Sequence, residues 1–315
     1  MSPPLDEFAR IARFFAPLAA GFPGALNLVD DAALIACPAG RELVVTTDAL
    51  VAGVHFLPDD PPETLGRKVL GVNLSDLAAK GAEPLAYTLV TALTRAEGEA
   101  WLEGFAAGLA AMQAEHGIQL AGGDSVSTPG PVMLSVTAFG TVPAGAMIGR
   151  GGARPGDGIY VTGTLGDAAL GLKAIRGGIT DAGGFLAGRY RCPQPRTAVG
   201  PALRGIASAM IDVSDGLVAD LGHLCAVSGV GAEVEAGLLP LSAAARPHAG
   251  DLAAVLSGGD DYELLFTASD RQPPPAAIAG IPITRIGRIG GGAGVRVLDS
   301  ARGLIAVPRG GWRHF

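Results

Sequence analysis

Aliphatic and β-branched runs of strand length alternate along this chain with segments whose apolar residues recur at helical spacing. They do so on both sides of the loop-forming stretch Gly149-Arg150-Gly151-Gly152-Ala153-Arg154-Pro155-Gly156-Asp157. That alternation limits the fold to the α/β or α+β class. In the first half, residues 43–47 read as a strand ending in Asp48, and 86–93, 118–121 and 132–142 as three more. A helix over 5–16 is expected from the stripe Phe8, Ile11, Ala12 and Phe15, with further helices over 63–80 and 96–116. In the second half the expected strands are 158–162, a tip at 211–213, and 231–236, 262–267, 283–289 and 294–298. Helices are expected from near Gly166 and over 217–228. A length of 315 residues favours two domains, here expected as 1–148 and 149–315.

Hydrophobic residues make up 49% of the chain and charged residues 17%, which excludes a disordered polypeptide. The formal net charge is −7 and no basic stripe is present, so nucleic acid is not an expected partner. No uninterrupted apolar stretch approaches the ~18 residues of a membrane span. Cys37, Cys192 and Cys225 are far apart and read as reduced thiols rather than a disulfide or zinc site. Residues 1–7 lack the basic-then-apolar pattern of a signal segment, so a cytoplasmic location is expected.

The carboxylates carry the strongest chemical signal. Asp30-Asp31, Asp48, Asp76, Asp124, Asp212, Asp215 and Asp260-Asp261 follow apolar runs or sit beside Gly, Ser or Thr, and few have Lys or Arg beside them. Carboxylates gathered without cations repel one another and resist ionisation. Mg²⁺ neutralises such a set, since it takes carboxylate oxygens together with waters and phosphates. For any single Asp, a turn or helix-cap role explains the residue as well. Thr46 and Asp48 fall on one face of a strand and Thr47 on the other, though a strand end would let all three reach one ion. Val69, Val72, Asn73 and Asp76 share one helical face. Asp215 can cap the helix that follows it, whereas Asp212 has no such role. Gly122-Gly123-Asp124 and Gly258-Gly259-Asp260 read as loops where backbone could approach a phosphate.

Known phosphate-binding signatures are absent. The sequence has no G-x-x-x-x-G-K-[ST], no G-x-G-x-x-G opening a helix, no kinase H-R-D with D-F-G, and no G-x-S-x-G. Five segments taken together resemble another family. They are Thr46-Thr47-Asp48 through His55-Phe56, Asn73-Leu74-Ser75-Asp76 through Glu83-Pro84, Gly122-Gly123-Asp124, Ile211-Asp212-Val213-Ser214-Asp215-Gly216-Leu217, and Gly258-Gly259-Asp260-Asp261-Tyr262-Glu263-Leu264. In this order they resemble the thiamine-monophosphate kinases, within the aminoimidazole ribonucleotide synthetase-like superfamily. The resemblance covers the chain from about Asp6 to Phe315.

The resemblance implies two α/β domains, the N-terminal sheet pairing across a homodimer and the C-terminal domain completing the nucleotide and substrate site. It implies phosphorylation of thiamine monophosphate by ATP, with Mg²⁺ as cofactor. It implies Mg²⁺ ligands at Asp30, Thr46, Thr47, Asp48, Asp76, Asp124, Asp212 and Asp215. It implies ATP contacts at Gly123, Asp124, Arg150 and Ser214, and thiamine-phosphate contacts at His55, Glu263 and Trp312. Asp48, Asp124, Arg150 and Asp212 are then the residues expected to bear on catalysis. One departure stands out: Leu28-Val29 precedes Asp30-Asp31 where the family has Gly-x-Gly, so the loop carrying Asp30 is expected to differ. Two other readings stay open: another ATP-dependent member of the superfamily, and a non-catalytic module that binds Mg²⁺ and nucleotide.

Overall fold

The computed structural model describes residues 7–307. They fall into two compact units. One comprises the described residues up to Leu77 with Glu83–Gly145; the other comprises Ala78–Ala82 and the described residues from Ala146 on.

The first unit opens with α1 (Glu7–Arg10), a π-helical turn at Ile11–Phe15 and α2 (Ala16–Ala19). The expected single helix is therefore interrupted, and the expected stripe changes with it. The wider π turn brings both Phe14 and Phe15 to the buried side, while Phe8 and Ala12 are exposed. A four-stranded sheet follows, built from β1 (Arg41–Val51), β2 (Glu83–Leu93), β3 (Gln119–Ser127) and β4 (Met133–Pro143) in the order β1-β4-β2-β3. Only the β2/β3 pair is parallel. Two long helices, α3 (Pro62–Ala79) and α4 (Glu99–His116), connect the strands. A Cβ on Gly66 would lie 2.2 Å from the Phe105 carbonyl oxygen, and one on Gly108 2.0 Å from that of Glu63, so glycine permits the close approach of α3 and α4. Val69, Leu74, Phe105, Leu109, Leu134 and Val136 are fully buried.

Strand β1 shows period-two patterning. Val44 and Leu50 are buried on one face, whereas Leu43 and Val45 on the other are 41% and 54% exposed. The pairings Val45–Phe139 and Thr47–Thr137 continue that second face onto β4. Val126 on β3 adds a third exposed aliphatic residue to it.

The second unit holds β5 (Gly158–Thr162), α5 (Asp167–Ile175), α6 (Phe185–Arg191), β6 (Ala207–Asp212), α7 (Leu217–Ser228), β7 (Gly231–Glu235), α8 (Leu252–Ser257), β8 (Leu264–Ala268), β9 (Ala277–Ile278), β10 (Ile281–Gly290), β11 (Gly294–Leu298) and β12 (Leu304–Ile305). Its sheet runs β12-β11-β7-β10-β5-β8-β6, with β9 paired to β10 and only β11/β7 parallel. Leu217, Leu221 and Leu224 of α7 are buried in one cluster with Ile159, Ile211 and Leu265 of the strands. No helix among the described residues is long and apolar enough to cross a membrane.

Candidate functional site

In the first unit, β1 and α3 bring two of the expected residues together. The Thr46 hydroxyl donates to Asp76 Oδ2 at 2.5 Å. Asp48 lies on the same strand face as Thr46. The strand does not end at Asp48, as the sequence pattern suggested, but continues to Val51. Thr47 therefore keeps to the opposite face. Its hydroxyl donates to the Val136 carbonyl and accepts from Thr137 Oγ1, both at 3.1 Å. Asn73 is fully buried; its amide donates to the Val69 carbonyl, while its Oδ1 has no hydrogen-bond partner among the described residues. His55 lies in the turn after β1. Its Nδ1 accepts the Val51 N–H at 3.0 Å, so the neutral ring carries its proton on Nε2.

Gly122-Gly123-Asp124 is not a loop. It sits within β3, an edge strand, held by parallel pairing to β2 with Asp124 opposite Val90. A Cβ on Gly123 would come within 2.0 Å of the Leu89 carbonyl oxygen, so that glycine answers the neighbouring strand; Gly122 has open space. Asp124 lines a cavity of about 280 Å³ with Asp30, Asp31 and Ser125. The structure thus gathers the Asp30 and Asp124 motifs, far apart in sequence. The segment before Asp30 has an unusual backbone. Val29 keeps φ −114°, and the left-handed conformation falls on Leu26, Asn27 and Leu28, with φ of 52°, 57° and 56°. Three consecutive non-glycine residues there store local strain.

In the second unit, Asp212 ends β6 and is nearly fully buried. The loop after it is clamped by the segment that follows α8. The Val213 N–H donates to the Glu263 carbonyl, Asp260 N–H to the Ser214 carbonyl, and Tyr262 N–H to the Val213 carbonyl. Gly259 allows the approach, because a Cβ there would lie 2.3 Å from the Ser214 carbonyl oxygen. Gly123 and Gly259 therefore meet the chain's own backbone, not open space for a phosphate. Asp215 does not cap α7; the N-cap is Gly216, without a side-chain bond. The carboxylate at that helix start is Asp220, which the sequence reading missed. Its Oδ2 accepts the N–H groups of Ser214, Asp215 and Gly216 at 3.1, 3.0 and 3.0 Å. Burial foremost, and then the charges of Asp212 and Asp215, push Asp220 up to about 8. The signal was present: Asp220 occupies an apolar position in the stripe Leu217, Asp220, Leu221, Leu224.

Glu263 is fully buried, with its carboxylate already held. Arg196 donates from Nε and Nη2 at 2.6 and 2.5 Å, Arg189 from Nη2 at 3.0 Å, and Thr162 from its hydroxyl at 2.7 Å. Arg189 and Arg196, also missed in the sequence, lie in α6 and just beyond it. Arg189 Nη1 is buried without a hydrogen-bond partner among the described residues. Arg150 is exposed, its carbonyl accepting from the Ser228 hydroxyl at 3.3 Å. Trp312 lies outside the described residues.

Among the described residues no three His, Cys, Asp or Glu side chains converge to cage a metal. The expected ligands stand instead in small groups: Thr46 with Asp76, Asp30 with Asp124, and Asp212 with Asp215. Hard oxygen donors in ones and twos fit Mg²⁺, which completes its octahedron with waters and substrate phosphates.

Comparisons with known proteins show the family. The N-terminal and C-terminal domain families of the AIR synthase related proteins match residues 29–142 and 154–308. Thiamine-monophosphate kinase of Caulobacter vibrioides is 42% identical over 322 residues, covering 99% of this chain and 91% of its own. The crystal structure of thiamine-monophosphate kinase from Stenotrophomonas maltophilia gives a TM-score of 0.78 at 44% identity, over 85% of this chain and 89% of that one. The structure of AaThiL complexed with AMPPCP and TMP gives 0.79 at 32% identity, over 91% of each chain.

Proposed function

The chain belongs to the thiamine-monophosphate kinase family, and from that membership we infer that it phosphorylates thiamine monophosphate with ATP, giving thiamine diphosphate and ADP. The observation that carries the substrate pair is the likeness, over 91% of both chains, to a protein complexed with an ATP analogue and TMP.

The chemistry suits the residues. The nucleophile is a phosphate oxygen of thiamine monophosphate, already ionised at neutral pH, so no strong general base is required. That oxygen forms the new bond to the γ-phosphorus of ATP. The bond from the γ-phosphorus to the β,γ-bridging oxygen breaks in line, and ADP leaves with the electron pair. The obstacle is repulsion between two anions. In the first unit Thr46, Asp48, Asp76, Asp30 and Asp124 would hold Mg²⁺, and in the second Asp212 and Asp215 would. Thr47, on the other strand face, could contribute only its backbone oxygen. Bound there, Mg²⁺ supplies the charge neutralisation that lets the anions meet. Asp124 would contact ATP, and Gly123, whose Cα is packed against the Leu89 carbonyl, could offer only backbone atoms. Arg150, which is exposed, would supply a guanidinium for a nucleotide phosphate. Ser214 keeps only its hydroxyl for ATP, because its N–H is engaged by Asp220. His55 offers its Nε2–H to the thiamine-phosphate side. The use of ATP places the reaction in the cytoplasm.

Incubation of the pure protein with ATP, Mg²⁺ and thiamine monophosphate is expected to give thiamine diphosphate by chromatography. EDTA is expected to abolish it, and excess Mg²⁺ to restore it. Normal Mg²⁺–nucleotide binding without product would leave a non-catalytic module as the reading.

The apolar face of the first sheet supports a homodimer. Leu43, Val45 and Val126 give it exposed aliphatic surface on a regular strand lattice, as expected of a face covered by a second copy. Light scattering is expected to give twice the chain mass of 31.5 kDa. Val45→Lys should shift that mass toward a single chain. A wild-type protein running as one chain would remove the dimer.

A further inference from the structure

Three successive N–H groups, those of Ser214, Asp215 and Gly216, converge on one oxygen at the start of a twelve-residue helix. Such a nest of backbone amides at a helix N-terminus ordinarily takes an external anion, often a phosphate. Here the chain fills it with a side chain of its own first turn. Asp220 is 2% exposed, so solvent does not compete for these bonds. The loop is held from its other side as well, by Asp260 and Tyr262 donating to the carbonyls of Ser214 and Val213. Its N–H groups and its carbonyls thus answer to different anchors. Asp215 lies within the part of the loop that Asp220 gathers, and Asp212 stands two residues before it.

We propose that Asp220 is a positioning residue for the metal-binding loop. By occupying the amide nest, it fixes the backbone from which Asp212 and Asp215 project, and it denies that helix start to nucleotide phosphate. The phosphates are then held through cations and side chains, unlike the arrangement in which a glycine-rich loop cradles them with its amides. This rests on the reading of Asp212 and Asp215 as Mg²⁺ ligands. The role assigned to Asp220 is acceptance by one oxygen in one place. An asparagine oxygen can meet that requirement, and a methyl group cannot.

The test compares Asp220→Ala with Asp220→Asn. In Asp220→Ala the Mg²⁺ concentration for half-maximal turnover is expected to rise by about tenfold or more, the range for losing a group that orients metal ligands. The KM for thiamine monophosphate should stay within about twofold, because His55, its proposed contact, lies on the turn after β1 and not on this loop. Asp220→Asn should recover Mg²⁺ dependence to within about threefold of wild type. Binding of the Mg²⁺ complex of AMPPCP, followed by calorimetry, should weaken and recover in the same order. A folded Asp220→Ala with the wild-type Mg²⁺ curve would overturn the proposal, as would Asp220→Asn no better than alanine. Should alanine prevent folding, amide hydrogen exchange in the wild-type protein without metal or nucleotide decides. Slow exchange at residues 214–216 is expected, and free exchange there would overturn it. If wild type forms no thiamine diphosphate, the kinase reading fails, while calorimetry still reads the loop.

Discussion

Asp212→Asn is expected to lower the rate of thiamine diphosphate formation by about 10²–10³-fold, the range for removing one preorganised electrostatic contact to the reacting phosphates. The fold should not suffer. Asparagine has the shape of aspartate, and Asp212 stands at the end of β6, where the ladder to β8 fixes the backbone. Stability should if anything improve. Asp212 is one of two charges that raise the neighbouring Asp220, so neutralising it relieves repulsion in a buried place. The paired result is loss of turnover with an unchanged or higher melting temperature, the trade expected where a site is built for a ligand at some cost to the empty protein. Turnover within about twofold of wild type would remove Asp212 from the site.

Glu263→Gln should have the opposite signature. The glutamate is the anion between a buried guanidinium, Arg189, and a partly buried one, Arg196, and both of its oxygens are held. Glutamine keeps the volume but leaves Arg189 and Arg196 facing an amide. Breaking a buried pair by removing one partner costs about 3–5 kcal/mol, because the surviving charge stays desolvated. For a unit of this size that corresponds to a fall in melting temperature on the order of 10 °C. Removing Glu263, Arg189 and Arg196 together for apolar residues should cost less than removing Glu263 alone, since no uncompensated charge then remains. A Glu263 whose work is contact with substrate predicts instead an unchanged melting temperature and a raised KM for thiamine monophosphate.

Residue patterns disclosed this fold unevenly, for physical reasons. Helix α7 was legible to the residue, because its leucines keep helical spacing and Gly216 and Gly229 bracket it. Strand β3 was half legible. Leu120 and Ala121 near its start are apolar, but Gly122-Gly123-Asp124 has turn chemistry by local propensity, and only pairing with β2 makes it strand. The π turn at Ile11–Phe15 could not be read from periodicity, since one widened turn shifts every later residue to a new face. In the candidate site, the aspartates read as metal ligands stood out because they follow apolar runs beside small residues. Their supports were not. Asp220, Arg189 and Arg196 act through groups distant in sequence or in backbone, and a single charged residue in an apolar stripe gives little warning. The opposition of Thr46 and Thr47 followed from strand alternation. What local sequence could not show was that β1 continues past Asp48 and so enforces it.

The neighbours Gly122 and Gly123 look alike in the sequence but differ in what surrounds them. A side chain at 123 would run into the Leu89 carbonyl, whereas one at 122 meets nothing within 4 Å. In a library randomised at both positions, the two would be sorted by different sieves. Selection for soluble, folded protein alone would already restore glycine at 123. Position 122 would pass that sieve with many residues, and only growth that depends on the enzyme's product would narrow it. Adjacent glycines of one motif would then carry separate records, position 123 of how the strands pack and position 122, which lines the cavity with Asp30 and Asp124, of what that cavity takes.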